Sequence, residues 1–270
     1  MIQNLSDNSD IWRQIELKTR QFEELDSWAD PGCEKSSIYS IIAQSAAIGG
    51  STLTEHETEL LFERGLAAKG KSPAHHLMNT DLKNAYAFAA ELSREELVFS
   101  PDLLKSLNAI VMKSAGDSSN VTCVDFDSSK GGFRHCDVST GGRSYVNCQK
   151  VPELVGALCD KLNRQLNADI TDAGLRELHE QTFSAHLEIA TIHPWADGNG
   201  RMARLLMNLL QFRLKLIPTK TFSEDKTGYI NAMHESQDTG DASSFLTFMA
   251  CQHLKTLETE LVNALTAHWI

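Results

Sequence analysis

The residue types best suited to catalysis are concentrated in one stretch, residues 193–204, which reads His-Pro-Trp-Ala-Asp-Gly-Asn-Gly-Arg-Met-Ala-Arg. An apolar segment, residues 205–217, follows it and stops at Pro218. The pattern predicts a polar loop that leads into the N-terminus of a buried helix. Unpaired backbone N–H groups and the positive end of the helix dipole gather at such a terminus, so the stretch is suited to binding an anion.

The glycines and arginines of this stretch are typical of a polyphosphate site. Gly198 and Gly200 allow the backbone to approach a ligand closely. Arg201 and Arg204 are three positions apart and project from one face of the starting helix, where each guanidinium group can bind phosphate through paired donors. No Gly-Lys-Ser or Gly-Lys-Thr sequence follows the glycines, so the stretch is not a Walker loop.

Two further side chains indicate a reaction rather than binding alone. An unperturbed histidine has a pKa near neutrality, which makes His193 the candidate general base. Asp197 offers the hard oxygen ligand that Mg2+ uses together with substrate phosphates. His179 and His186 continue a seven-residue spacing back from His193, but residues seven apart on a helix are about 10 Å apart, too far to share one zinc ion. We interpret these two histidines as structural or surface residues.

Residues 193–204 resemble the signature of the Fic family, HxFx(D/E)GNGRxxR, with Trp195 where the family usually has Phe. The resemblance implies a mainly α-helical Fic fold, a helical bundle with a short β-hairpin, the flap, over the active site. It also implies a protein adenylyltransferase, which transfers AMP from ATP to a Ser, Thr or Tyr hydroxyl of a target protein. In the implied mechanism, His193 is the general base and Asp197 is the Mg2+ ligand. The backbone amides of Gly198, Asn199 and Gly200 bind phosphate. Arg201 contacts the β-phosphate and Arg204 contacts the γ-phosphate.

Alternatives to AMP transfer stay open. Some relatives that act as kinases carry a lysine where this chain has Gly200, so the glycine favours AMP transfer. Another nucleotide donor, or removal of AMP from a modified protein, is the enzymatic alternative. A non-catalytic nucleotide-binding regulator is the alternative from another class, and the intact His193 argues against it.

Two other segments extend the resemblance. Residues 132–146 are similar to the stretch that holds the family's flap, which is thought to bind the target protein in extended form by strand addition. A structural β-turn without that role is the alternative. Tyr229 and Gln237 lie in a segment similar to the one that holds the adenine, although Ile230 replaces a second tyrosine there. Core packing is an equally good interpretation of Tyr229.

Many Fic proteins carry an inhibitory helix with the motif (S/T)xxxE(G/N), whose glutamate pairs with the second signature arginine. Residues 37–50 resemble this helix at Ser45 and at its final glycine, but Gly49 stands at the glutamate position. The resemblance therefore implies that Arg204 is free of an inhibitory partner and that the enzyme is deregulated. A simple helix stop is the alternative interpretation of Gly49.

Hydrophobic periodicity predicts a helical protein around these motifs. Helices are predicted over about 11–28, 37–48, 54–68, 79–92, 101–113, 151–166 and 171–192, with two more on either side of a Gly/Asp-rich break at 238–241. Residues 138–146 predict a β-hairpin around a Gly-Gly turn. We divide the chain into an N-terminal helical region, 1–95, and a Fic catalytic core, 96–270.

Composition restricts the partners and the compartment. The net charge of −11 argues against nonspecific nucleic-acid binding. The sequence shows no apolar run of membrane-spanning length and no signal-peptide pattern at its start. The six cysteines show no CxxC pair, and we interpret them as reduced thiols of a cytoplasmic protein. A regulatory disulfide between Cys136 and Cys148 is the less favoured alternative, and a homo-oligomer is left open.

Overall fold

The computed structural model describes residues 8–25, 31–114, 128–140, 142–169 and 173–267. Within them, the chain forms ten α-helices and one antiparallel sheet of two short strands. The helices are α1 (Asn8–Glu24), α2 (Pro31–Ile48), α3 (Glu55–Arg64), α4 (Pro73–Arg94), α5 (Pro101–Val111), α6 (Val151–Asn167), α7 (Leu175–Ile192), α8 (Asn199–Arg213), α9 (Lys226–Thr239) and α10 (Ser243–Ala267). The strands are β1 (Ser139–Thr140) and β2 (Arg143–Ser144). The predicted mainly α-helical class with one hairpin is confirmed.

Helix α8 is the central element of the fold. Almost every side chain from Arg201 to Gln211 is buried, so the helix has no solvent-facing side along most of its length. A helix that is apolar on all sides must be enclosed by other elements. Helix α7 packs along α8, and α4 packs against it from another side. The predicted buried helix after the signature is confirmed, but it ends at Arg213, before residue 217.

Two hydrophobic clusters lie on different sides of α8. The first joins α2, α4, α5, α6, α7 and α8, with Leu82, Leu107 and Leu206 fully buried at its centre. The second joins α1, α9 and α10 to α7 and α8, through side chains such as Phe183 and Phe245. Since α4 and α5 share the first cluster, they pack together across the boundary proposed near residue 95. That boundary stays a prediction.

Local capping signals fix several helix ends. Thr54 and Glu57 form the predicted capping box at the start of α3, and Gly65 ends that helix in the left-handed conformation. Ser100 caps α5, whose first residue is Pro101, as predicted. Helix α4 differs from the prediction: it begins at Pro73, because the Ser72 side chain accepts a hydrogen bond from the backbone of the first turn.

The hairpin and the cysteines test two other predictions. Strands β1 and β2 pair with Ser139 opposite Ser144, and the predicted hairpin is confirmed.

Cys136 is in a disulfide bond, so the expectation of six reduced thiols is wrong for this residue. Cys148 is a free thiol, and the Cys136–Cys148 pair considered above is therefore not formed. No helix in the described part of the chain is both long and apolar enough to cross a membrane.

The two histidines at seven-residue spacing are interior residues. His179 is 1% exposed and His186 is 0% exposed. His186 Nε2 is hydrogen-bonded to the Tyr229 hydroxyl at 2.8 Å, and the His179 ring lies 4.0 Å from the ring of His253. Burial lowers the pKa of both His179 and His186 to about 3, because the low-dielectric interior disfavours the charged ring. Both are therefore neutral structural residues at neutral pH.

Acid should destabilise the protein through these histidines well before their folded pKa is reached. The folded state keeps each ring neutral to about pH 3, whereas the unfolded ring binds a proton below about pH 6.5. The unfolded state thus gains protons as the pH falls through this window, and each histidine removes about 2 kcal/mol of stability by pH 5. Urea unfolding between pH 5 and 7.5 measures this. His186→Gln keeps a donor for Tyr229 and should weaken the pH dependence, whereas the exposed His56→Gln should not; equal pH dependence of all three proteins would contradict the assignment.

Candidate active site

The loop between α7 and α8 is closed by hydrogen bonds of its own residues. The Asn199 side chain donates to the Trp195 carbonyl at 2.8 Å and accepts from the Trp195 backbone at 3.0 Å. The Trp195 indole is 1% exposed and donates to the Gly131 carbonyl at 2.9 Å. Tryptophan therefore fills the position where the family usually has phenylalanine and adds a hydrogen bond. The side chain of Asn199 shapes the loop rather than facing a ligand.

Close contacts require a glycine at residue 198 and leave little room for a side chain at residue 200. Gly198 has φ of +84°, and a Cβ atom there would lie 2.7 Å from the Met112 sulfur. A Cβ atom on Gly200 would lie 3.3 Å from Arg204 Nη1. Asp197 Oδ1 accepts a hydrogen bond from the Gly198 amide at 2.6 Å, so this amide already has a partner. Of the predicted phosphate-binding amides, those of Asn199 and Gly200 remain at the start of α8.

The two signature arginines are buried charges with incomplete hydrogen bonding. Arg201 is 5% exposed and Arg204 is 3% exposed. Arg201 Nη2 donates to Asp197 Oδ2 at 3.2 Å. Nη1 of each arginine is buried and has no partner within the described residues. Because an unpaired buried charged donor is costly, the pair of open Nη1 groups fits an anion such as a phosphate.

Helix α2 holds Arg204, which corrects the expectation that this arginine is free. Arg204 Nε donates to Ser45 Oγ and Nη2 donates to the Ser45 carbonyl, both at 2.9 Å. Gly49 lies one turn after Ser45 and donates its amide to the Ser45 carbonyl at 3.3 Å. The serine of the inhibitory-like segment therefore contacts the predicted γ-phosphate arginine directly, although residue 49 contributes no carboxylate.

Asp197 can hold a cation only with help from a ligand. Its carboxylate is 57% exposed and already bonds Arg201 and the Gly198 amide. The described residues contain no group of three or more His, Cys, Asp or Glu side chains placed to bind a metal. A single carboxylate nevertheless fits Mg2+, which commonly takes one or two carboxylates, substrate phosphates and water.

His193 is held in a restrained position. It ends α7 in the left-handed conformation, with φ of 50°. Its ring hydrogen-bonds to the backbone of Ala190, and the ring of Tyr145 stacks on it with centroids 3.7 Å apart. Burial lowers the pKa of His193 to about 4, and the Arg134 charge acts in the same direction. The imidazole is therefore neutral at neutral pH, the state in which it can accept a proton.

Arg134 was not identified as a functional residue by the sequence analysis. Its buried guanidinium donates to the carbonyls of His193, Cys136 and Val146, and its amide donates to the Pro194 carbonyl. The same side chain thus joins both ends of the hairpin segment to the catalytic loop. The available signal was an arginine beside Phe133 at the start of the flap segment, but its contact with the catalytic loop joins residues 59 positions apart.

Helix α9 contacts the hairpin and also carries the two residues predicted to border the adenine, Tyr229 and Gln237. Arg143 in β2 pairs with Asp238 at 2.6 Å, which attaches the hairpin to α9. Gln237 is partly buried and donates to Thr191 at 3.1 Å. Tyr229 is 2% exposed, bonds His186 and lies beneath Arg204, whose guanidinium carbon is 6.0 Å from the ring centre. This position favours the packing interpretation of Tyr229 over contact with an adenine.

Comparison with known proteins identifies relatives of this chain, and the matched family model includes the signature residues 193–204. Residues 98–211 match the family model described as Fic/DOC family. Protein adenylyltransferase Fic of Drosophila erecta is 28% identical over 262 residues, which is 91% of this chain and 48% of the relative. The chain thus spans about half the length of the curated relatives it matches.

Solved structures share the fold. Fic-1 from C. elegans superposes with a TM-score of 0.77 at 22% identity, covering 96% of this chain and 74% of the other. IbpAFic2, whose structure was determined covalently tethered to Cdc42, gives a TM-score of 0.52 at 13% identity, covering 81% of this chain and 63% of the other. The family-model match, the curated relatives and the shared fold agree with the motif in residues 193–204, and residues 98–211 of the chain match the Fic/DOC family.

Proposed function

We propose that this protein is an adenylyltransferase that transfers AMP from ATP to a hydroxyl group of a target protein. The observation that carries the proposal is a neutral, restrained imidazole at the end of α7, followed one loop later at the start of α8 by two buried arginines that each keep one Nη1 group without a partner among the described residues. Such a site can bind a polyphosphate and accept a proton next to it. The curated relatives named protein adenylyltransferase support the same activity.

In the proposed reaction, the target hydroxyl of a Ser, Thr or Tyr attacks the α-phosphorus of ATP. A bond forms between that oxygen and phosphorus, the bond to the β-phosphate oxygen breaks, and pyrophosphate leaves. His193 accepts the hydroxyl proton, while Arg201 and Arg204 stabilise the charge of the β- and γ-phosphates. The protein contributes mainly alignment and charge stabilisation.

The other assignments belong to the same proposal. Asp197 would hold Mg2+, which when bound supplies positive charge to the phosphates. The amides of Asn199 and Gly200 would bind phosphate oxygens, with Gly198 keeping the turn. Gln237 is placed on α9 near the hairpin and is proposed to border the adenine. Residues 132–146 would hold the target protein along the flap.

Substitution of His193, the proposed general base, distinguishes an enzyme from a non-catalytic nucleotide-binding regulator. We expect His193→Ala to abolish transfer of label from α-labelled ATP to protein while ATP affinity stays within about threefold, because the phosphate contacts are untouched. Self-labelling and calorimetric titration with ATP measure the two quantities. The exposed His56→Ala is the matched control and should label normally. Loss of ATP affinity in parallel with labelling would mean that His193 is structural, and absence of labelling in the unaltered protein would favour the regulator.

Restoring a glutamate at residue 49 tests the regulatory assignment. Gly49 directly follows α2, four residues after Ser45, and a Cβ atom there would be 3.2 Å from the nearest atom, a backbone oxygen that must give slightly. The carboxylate of Gly49→Glu could reach the open Nη1 group of Arg204 and compete with the γ-phosphate. A charged hydrogen bond of about 1.5–3 kcal/mol would lower productive ATP binding by roughly one to two orders of magnitude.

Self-labelling across a range of ATP concentrations measures this loss. Gly49→Gln is the matched control, since it has the same length without the charge, and it should reduce labelling much less. Thermal melting checks that both variants fold. Equal labelling by the unaltered protein and a folded Gly49→Glu variant would show that residue 49 is not the regulatory position.

A further inference from the structure

The plane of the His193 imidazole is set by more than its hydrogen bond. The ring bonds the Ala190 backbone. A single bond leaves a histidine ring free to rock, because the outer torsion of its side chain has a broad energy minimum. The Tyr145 ring removes that freedom: it covers one face at 3.7 Å with an angle of 15° between the planes.

The backbone that carries Tyr145 is held on both sides. Two residues earlier, Arg143 pairs with Asp238 of α9. The carbonyl of Val146, the next residue, accepts a hydrogen bond from Arg134, and the Tyr145 amide donates to Val138 at 3.2 Å. The aromatic ring is therefore positioned by the hairpin and not by its own terminal group, since its hydroxyl makes no hydrogen bond within the described residues.

The stack leaves the ring edge open. Imidazole nitrogens accept protons in the plane of the ring, so a neighbour on the face does not block the second nitrogen. Stacked aromatic pairs are worth about 0.5–1.5 kcal/mol beyond the area they bury, which is enough to select one ring orientation from several of similar energy. The cover also excludes water from one face of the base.

From these contacts we propose that Tyr145 is a positioning residue, whose ring fixes the plane of the His193 imidazole so that its second nitrogen faces the attacking hydroxyl. Tyr145 directly follows β2, the strand proposed to hold the target. The orientation of the base is thereby coupled to the hairpin that presents the hydroxyl. The inference about the reaction rests on the proposed adenylyl transfer, whereas the contact itself can be measured without it.

Nuclear magnetic resonance of the His193 ring tests the contact. In the unaltered protein at pH 7.5, the ring protons of His193, assigned by their absence in His193→Ala, should lie upfield because of the Tyr145 ring current. Tyr145→Phe should retain that position, and Tyr145→Ala should move the signals downfield. Tyr39→Ala, which removes a half-buried tyrosine far along the chain in α2, is the matched control and should leave them in place. Unchanged signals in a folded Tyr145→Ala variant would overturn the proposal.

Kinetics of self-labelling test the consequence. We expect Tyr145→Ala to lower kcat about tenfold with little change in KM for ATP, since misorientation of a catalytic group costs rate rather than nucleotide binding. Tyr145→Phe should restore kcat, because the stack requires only the ring. A kcat of Tyr145→Ala equal to that of the unaltered protein would overturn the positioning role. A kcat of Tyr145→Phe as low as that of Tyr145→Ala would overturn it as well. If the ring-current shift is present but the unaltered protein transfers no AMP, the adenylyl-transfer proposal fails while the contact stands.

Discussion

The burial of two guanidinium charges at the start of α8 is the constraint on which the site depends. Arg201 and Arg204 are one turn apart and almost without solvent contact, so each must find partners in the interior. Asp197 supplies one partial partner and Ser45 supplies two hydrogen bonds. The two Nη1 groups are buried without a hydrogen-bond partner among the described residues. A protein that keeps two such donors unsatisfied within its described residues has the electrostatics of an anion site before any ligand arrives.

Burial extends along the rest of α8. Side chains from Arg201 to Gln211 are buried around the whole helix, which therefore needs cover on every side. Helices α4 and α7 pack against it, and the buried Asn208 of α8 accepts a hydrogen bond from the Tyr86 hydroxyl at 2.8 Å. The scaffold is thus rigid beneath the loop that carries His193, and rigid support is what a positioned general base requires.

Arg134 connects the scaffold to the hairpin. Its three carbonyl contacts fix the left-handed backbone of His193 and the two ends of the flap segment in one unit. Helix α2 reaches the site from the opposite direction, through Ser45 and Arg204. The proposed base and the proposed phosphate arginine are therefore each held by an element remote in sequence. Changes in either element can act on the site without altering the signature itself.

The sequence by itself determined the elements and the chemistry of the signature. The apolar run after the signature required a buried helix, and capping residues such as Thr54 and Ser100 fixed helix ends, because these signals depend on neighbours along the chain. The types and spacing of His193, Arg201 and Arg204 indicated phosphate binding with a base. Only the tertiary structure decided which residues contact each other. Arg204 donates hydrogen bonds to Ser45, the Tyr145 ring stacks on His193, and Tyr229 is buried against His186. Those contacts join residues up to 159 positions apart, and no local pattern encodes which of many equivalent side chains will meet when the helices pack.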